Sequence, residues 1–284
     1  MIPASGNHSA NCDKPQQHFS ENGLEMKSAR TITYLSRPAE VSMADQWFEV
    51  AVIDHFWIRR RFEVFKRLAG RLVTTAHEIA EIGCGHGLLQ SQVEKAYDRE
   101  VTGFDLNEVA LKQNVSERSA INCYDIYQKD RSLQGKFDLI FLFDVLEHIT
   151  DQDGFLAALL FHLAPGGNVA VNVPAGMWVY SEYDMAAGHV RRYSIRSLQE
   201  TAKRNYLRIK ELTYWGLPLV PTLVVRKLWL MGKSDKDKII STGFDSKTKM
   251  INSLLGMISR CEPIPQTLLG TSLMAILEAD RDAG

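Results

Sequence analysis

Cysteine is scarce in this chain: Cys12, Cys84, Cys123 and Cys261 are the only four in 284 residues, and none stands in C-x-x-C spacing. That excludes a disulfide framework and a thiolate zinc site, and it fits a reducing cytoplasm. Excess charge of one sign is also missing, since 33 Lys and Arg face 34 Asp and Glu for a net charge of -1. Apart from Arg59-Arg60-Arg61 no basic run stands out, so no nucleic-acid surface is expected. Long apolar runs are absent as well. The most apolar stretch, Leu217 to Met231, contains Pro218, Pro221, Arg226 and Lys227 and falls short of the ~20 uninterrupted apolar residues that span a bilayer. The N-terminal residues carry no charged-then-apolar leader pattern. A soluble chain is expected, with peripheral membrane contact at most. No His, Asp or Glu cluster shows metal-ligand spacing, and there is no internal repeat.

With 45% hydrophobic residues the chain can bury a full core, and its length suits one elaborated domain better than two. Residues 1–43 are expected to be a flexible N-terminal extension and 44–284 the domain. Residues 44–69 read as an amphipathic helix, with Ile58, Phe62, Phe65 and Ala69 on one face and Arg59, Arg60, Arg61, Glu63 and Lys66 on the other. Strands are predicted at about 77–82, 100–105, 120–126, 137–143 and 167–173, with a helix after each of the first four. Such alternation predicts an α/β fold, a doubly wound parallel sheet with right-handed crossovers. Ser194 stands where it can cap the next helix. Strand six is expected at about 206–214 and the last strand at Thr271–Glu278. Between them lies a long insertion, 215–265, in which Ile251, Leu254, Leu255 and Ile258 mark another amphipathic helix.

The segment His77–Gly87, HEIAEIGCGHG, is the most informative. A strand ends in Glu81 and runs into Gly83-Cys84-Gly85-His86-Gly87, where glycines let the backbone turn tightly and approach a ligand. A nicotinamide fingerprint would need its third glycine at position 88, which is Leu88, so a dinucleotide is disfavoured. Further landmarks follow in order: VTGFD at Val101–Asp105, the acid Asp125, FDLIFLFDVLEHI at Phe137–Ile149 and LAPGGNVAVNV at Leu163–Val173. Over roughly residues 77–175 the chain resembles the class I S-adenosylmethionine-dependent methyltransferases, whose first motif is E/D-x-G-x-G-x-G. Its L-E-H element is similar to that of the quinone and natural-product branch.

The resemblance implies a Rossmann-like, seven-stranded sheet with its last strand antiparallel at the edge, preceded by an N-terminal helical extension; the insertion 215–265, by its place between strands six and seven and its apolar composition, is expected to be a substrate cover. It also implies S-adenosyl-L-methionine as cofactor. Glu81, Gly83, Cys84, Gly85 and Gly87 would surround the methionine half, with Glu81 bracing the glycine turn through its amides. Asp105 and Leu106 would serve the ribose, Asp125 and Ile126 the adenine, and Asp144 would lie near the methyl group.

Methyl transfer from a sulfonium is an in-line displacement, so positioning can supply much of the rate. His189, within Tyr180–Tyr193, YSEYDMAAGHVRRY, is a candidate base because histidine titrates near neutrality. The rival is a structural motif in which Asp184, His189 and Arg192 knit the loop. Asp144 and His148 are further catalytic candidates, each with a structural alternative. Trp178, Tyr183, Arg191 and Tyr193 are candidate acceptor contacts, against solvated or packing roles. The expected activity is methyl transfer to a small-molecule acceptor, most readily at oxygen, in quinone, lipid-linked or specialised metabolism. Alternatives are a non-catalytic cofactor-binding scaffold and N- or C-methylation. No metal is expected. Base methylation is disfavoured, because Asp144-Val145-Leu146-Glu147 is not the N/D-P-P-Y/F type that stacks a flipped base. Acceptor identity and oligomeric state stay open at this level.

Overall fold

The computed structural model describes residues 31–39, 53–233, 239 and 249–280. Its strands are β1 Ile32–Tyr34, β2 Ile79–Ile82, β3 Thr102–Asp105, β4 Ile121–Cys123, β5 Phe137–Phe143, β6 Leu163–Pro174, β7 Leu207–Trp215 and β8 Ser272–Ala279. They form one sheet in the order β1-β4-β3-β2-β5-β6-β8-β7. The first six strands pair in parallel, and β8 runs antiparallel to both β6 and β7. The helices are α1 Phe56–Thr75, α2 Leu88–Tyr97, α3 Glu108–Lys112, α4 Gln152–His162, α5 Glu182–Ala186, α6 Ile195–Arg204, α7 Val220–Leu230 and α8 Lys249–Ile258.

The central strand explains the layering. β5 reads FDLIFLF, and Leu139 to Phe143 are buried throughout, as a parallel strand covered on both faces must be. Ile140 and Leu142 enter the cluster that holds α4 and α6, through Leu156, Leu159 and Leu198. Leu139, Phe141 and Phe143 enter the opposite cluster, where Phe65 of α1 packs edge-on to Phe141 and Phe143. Strand order reverses between β2 and β5, and the crevice at their carboxyl ends is where ligands of such sheets bind.

Several expectations need correction. The sheet has eight strands, because Ile32–Tyr34 lies in the stretch read as a flexible extension and pairs with β4 from Ile32↔Ile121 to Tyr34↔Cys123. Three residues carry too little pattern to be read as a strand. The last strand is not at the edge: β8 sits between β6 and β7, and every residue from Ser272 to Glu278 is buried. After Cys123 come two short 3-10 turns, Ile126–Gln128 and Arg131–Leu133, in place of a helix. The first long helix starts at Phe56, with the His55 side chain accepting from the Trp57 amide, and runs on to Thr75 through a break at Ala69. Residues 44–52 of its expected span lie outside the described residues. The helix at Ile195 is capped by Ser194 as expected.

Candidate active site

The glycine turn sits at the carboxyl end of β2. Gly83, Gly85 and Gly87 all have positive φ, at 74°, 52° and 78°, a conformation that strongly favours glycine. A Cβ on Gly83 would come within 2.4 Å of Val145, which follows β5, so the two strand ends meet with no room for a side chain. The Gly83 and Cys84 amides both donate to the Phe104 carbonyl, at 2.8 and 3.1 Å. The Gly85 amide donates to Asp105 Oδ2 at 2.7 Å, and Asp105 Oδ1 accepts from the Asn107 amide at 2.8 Å. Asp105 thus braces the turn while its carboxylate retains lone pairs for hydroxyl donors. Burial raises its pKa, outweighing those amides. Cys84 is buried, and burial pushes its thiol well up, so it lines the turn as an inert group.

Glu81 behaves differently from its expected role. None of the glycine-turn amides goes to it; its carboxylate takes a backbone hydrogen bond from Gln90 at the start of α2, and Oε2 is buried without a partner among the described residues. Burial lifts its pKa to about 8, reinforced by Asp105 and Asp144 and opposed by Arg61. A buried acid with an open oxygen suits a cationic ligand group.

Asp144 follows directly on β5 with φ of 58°, a conformation that non-glycine residues seldom adopt and Asp tolerates better than most. It forms an ion pair with Arg61, and Oδ1 accepts from Asn172 Nδ2 at 2.7 Å. Asn172 Oδ1 in turn accepts from the Trp215 indole at 2.9 Å. Arg61 lies between the Trp57 and Phe143 rings, 5.2 Å from each centroid. This residue was assigned to the polar face of α1, as was Arg60, yet both are buried. The signal was present in the sequence: positions 58, 61, 62 and 65 are one i, i+3, i+4, i+7 stripe, so Arg61 belongs to the apolar face.

On the adenine side, Asp125 Oδ1 accepts from the Tyr127 amide at 3.0 Å, and the Asp125 amide donates to Ser36 Oγ at 2.8 Å. Ile126 is buried, and the Leu106 carbonyl accepts from the Ala39 amide at 3.2 Å. The segment after β1 therefore lies against Leu106 and Asp125, a contact no sequence signal announced.

The loop after β6 is knit around Asp184. Its fully buried carboxylate accepts from His189 Nδ1 at 2.9 Å, Arg192 Nε at 2.7 Å and the Ser181 amide at 3.0 Å. Burial alone would raise Asp184, but the His189 hydrogen bond and the Arg192 charge outweigh it and hold the acid below its usual range. His189 Nε2 faces Glu147 Oε1 at 4.0 Å, and its ring stands edge-on to His148 at 4.9 Å. Burial and the neighbouring His189 depress the His148 imidazole to about 3, which makes it a weak base at neutral pH. Burial and Asp144 push Glu147 well up. Glu147, His148 and His189 each bring a potential ligand atom within 4.8 Å of the others, a grouping that linear spacing does not reveal.

The proposed acceptor contacts divide. Trp178 is about half exposed, on the 3-10 turn Met177–Val179. Tyr183 is buried beneath Arg226, whose guanidinium stands 3.8 Å from its ring centroid. Arg191 reaches the Thr150 carbonyl at 3.2 Å. Tyr193 is a core residue: only 2% exposed, it donates to the Leu146 carbonyl at 3.1 Å and accepts from Gln152, so it supports the loop and presents no face to an acceptor. Trp215 is likewise fully buried as the last residue of β7, and the insertion begins after it.

This α/β sheet, with its glycine turn and strand-end acids at the switch point, has the architecture of class I S-adenosylmethionine-dependent methyltransferases. The methyltransferase-domain family model matches residues 42–212, and the chain belongs to that family. It is an S-adenosylmethionine-dependent methyltransferase. A ubiquinone biosynthesis O-methyltransferase of Coxiella burnetii is 24% identical over 190 residues, 63% of this chain and 80% of the relative. Among solved structures, the cyclase SpnF superposes with a TM-score of 0.54 at 14% identity, over 85% of this chain and 98% of that one. A Haemonchus contortus phosphoethanolamine N-methyltransferase 2, solved with phosphomonomethylethanolamine and S-adenosylhomocysteine, gives 0.50 at 18% identity, over 78% of this chain and 52% of that one. These two share the fold, and a cyclase among them shows that the fold alone does not set the reaction. No helix among the described residues is long and apolar enough to cross a membrane.

Proposed function

We propose that this enzyme methylates an oxygen of a small-molecule acceptor, with His189 as the base. The supporting observation is the His189–Asp184 contact at 2.9 Å: a carboxylate on Nδ1 orients the ring and leaves Nε2 as the nitrogen that can take a proton. The similarity to a ubiquinone biosynthesis O-methyltransferase favours a phenolic acceptor of the quinone or lipid-linked kind. Gly83, Gly85 and Gly87 would cradle the methionine half of the cofactor, Asp105 the ribose, and Asp125 with Ile126 the adenine. Arg61 and Asp144 would fix the end of β5 against them. The cofactor supplies an electrophilic methyl group. The protein then has to hold the acceptor in line, exclude water and receive the acceptor's proton. Trp178 and the insertion helices would form the acceptor side, and the unpaired Cys84, Cys123 and Cys261 suit a reducing cytoplasm.

The test is transfer of labelled methyl to a panel of phenols, catechols and amines. His189→Gln should lower turnover by ~10² to 10⁴ and leave S-adenosylhomocysteine affinity intact. A normal rate in the folded variant would remove His189 from the mechanism, and collapse of its melting transition would assign it to loop structure. Methylation of amines but not phenols would overturn the choice of oxygen.

Glu81 gives a second expected result. A cationic group seated beside it lowers its pKa, so cofactor binding between the ordinary carboxylate range and pH about 8 should release a proton. Affinity should correspondingly rise as pH is raised towards that value. Calorimetry in two buffers of different ionisation enthalpy reads the release directly; identical heats would dissociate Glu81 from the ligand's charge.

A further inference from the structure

Apolar exposure is concentrated on the insertion. Among the described residues, nine of the nineteen exposed large hydrophobic side chains lie between Val225 and Ile258. Scattered single residues of this kind are ordinary, but here they fall in register. Val225, Leu228 and Trp229 follow i, i+3, i+4 spacing on α7, and Met250, Leu254 and Met257 follow i, i+4, i+7 on α8. Their exposures reach 65% at Val225, 63% at Leu228, 78% at Met250 and 67% at Met257. Both helices pack against the turn Leu217–Leu219, which brings them together at one point of the fold.

Charge sets this segment of the sequence apart from the rest of the chain. Residues 227–260 contain seven Lys and Arg against three acids, all Asp, within a protein of net charge -1. Lys233 Nζ lies over the Trp229 ring, 2.8 Å from its centroid, and Lys227 Nζ reaches the Trp178 carbonyl at 2.6 Å. Arg260 is paired with Glu63. An aromatic residue beside lysine at the border of an aliphatic stripe is the arrangement that rests at a bilayer interface, with the apolar face entering the acyl boundary and cations meeting anionic headgroups. A second copy of the chain fits less well, because a two-fold contact would set this positive segment against itself.

We propose that the α7–α8 face docks on an anionic phospholipid surface. The face adjoins the rim of the proposed acceptor side, since α7 packs on α5 and on the turn that carries Trp178. An acceptor held in a bilayer would thereby meet the enzyme at its open side. Docking itself does not depend on which acceptor is methylated.

The full-length protein is sedimented with vesicles of phosphatidylcholine alone and of phosphatidylcholine mixed with phosphatidylglycerol in roughly equal amounts. Wild type should pellet with the mixed vesicles and stay in the supernatant with the neutral ones. Leu228→Glu combined with Leu254→Glu should reduce the bound fraction about tenfold or more at an unchanged melting temperature. Tyr206→Glu, exposed at the opposite end of β7, serves as the control and should bind as wild type does. Failure to bind mixed vesicles, equal binding to neutral ones, or binding that survives the double substitution would each overturn the proposal. So would light scattering that shows a dimer dissolved by the same two substitutions. If the double variant unfolds, Met250→Glu, at a more exposed position, replaces it and must show the same loss.

Discussion

Asp105→Ala is expected to weaken S-adenosylhomocysteine binding by about a hundredfold or more. The carboxylate stands at the end of β3 and already holds the Gly85 and Asn107 amides at 2.7 and 2.8 Å. Two effects therefore combine in the variant. Hydrogen bonds from ribose hydroxyls to a charged acceptor, worth about 1.5–3 kcal/mol each, are lost. The glycine turn also loses the brace that presents its backbone to the ligand. Against these runs a gain: burial raises the Asp105 pKa, so its removal relieves a desolvation cost and the free protein should stay folded. Calorimetry decides the affinity and a thermal melt decides the fold. Unchanged affinity in a folded Asp105→Ala protein would remove this acid from the cofactor site, and a restored turn with partial affinity in Asp105→Asn would separate the brace from the ribose contact.

The parts legible in the sequence were those fixed by local constraint. A run of three glycines after an apolar strand states a backbone conformation, and all three indeed have positive φ. FDLIFLF states burial on both faces, and Ser194 states a helix start. What escaped was set by partners distant in the chain. The burial of Arg60, which lies off the apolar stripe of α1, depends on Glu262, a partner that a helical pattern cannot see. Glu81 was read as a partner of nearby amides, whereas those amides satisfy Phe104 and Asp105 and leave the acid with a raised pKa. Tyr193 looked available because its neighbours are charged, but its hydroxyl is buried between Leu146 and Gln152. The position of β8 followed a resemblance that put it at the edge; its unbroken apolar run, LMAIL, states only that both faces are covered, and its place between β6 and β7 is set by backbone pairing with distant strands.

Glu262→Ala should be the most destabilising single change, because it strands a buried cation at the foot of the insertion. Arg60 of α1 and Glu262 have side chains 1% and 0% exposed, with Nη2 and Oε1 3.0 Å apart. The same carboxylate accepts the Gly216 and Leu217 amides at 2.9 and 2.8 Å, where the chain leaves β7. Removing one member of a buried pair costs about 3–5 kcal/mol, and for a domain of this size that corresponds to a fall in melting temperature on the order of 10 °C. The far salt-bridge partner, Glu63 at 3.6 Å from Arg60 Nη1, is too distant to compensate fully. Arg60→Met combined with Glu262→Leu should recover part of the loss, since no charge is then buried, but the two amides stay unpaired and full stability should not return. Excision of the whole span 215–265 would therefore test the wrong thing: it removes Glu262 and also Trp215, whose indole orients Asn172 and through it Asp144. The insertion is anchored where it leaves β7, through the Gly216 and Leu217 amides on Glu262, and again at α8, where Asn252 bonds the Phe56 amide and the Asp54 carbonyl. A Glu262→Ala protein that melts with wild type would show that Arg60 finds another partner and that this anchoring is wrong.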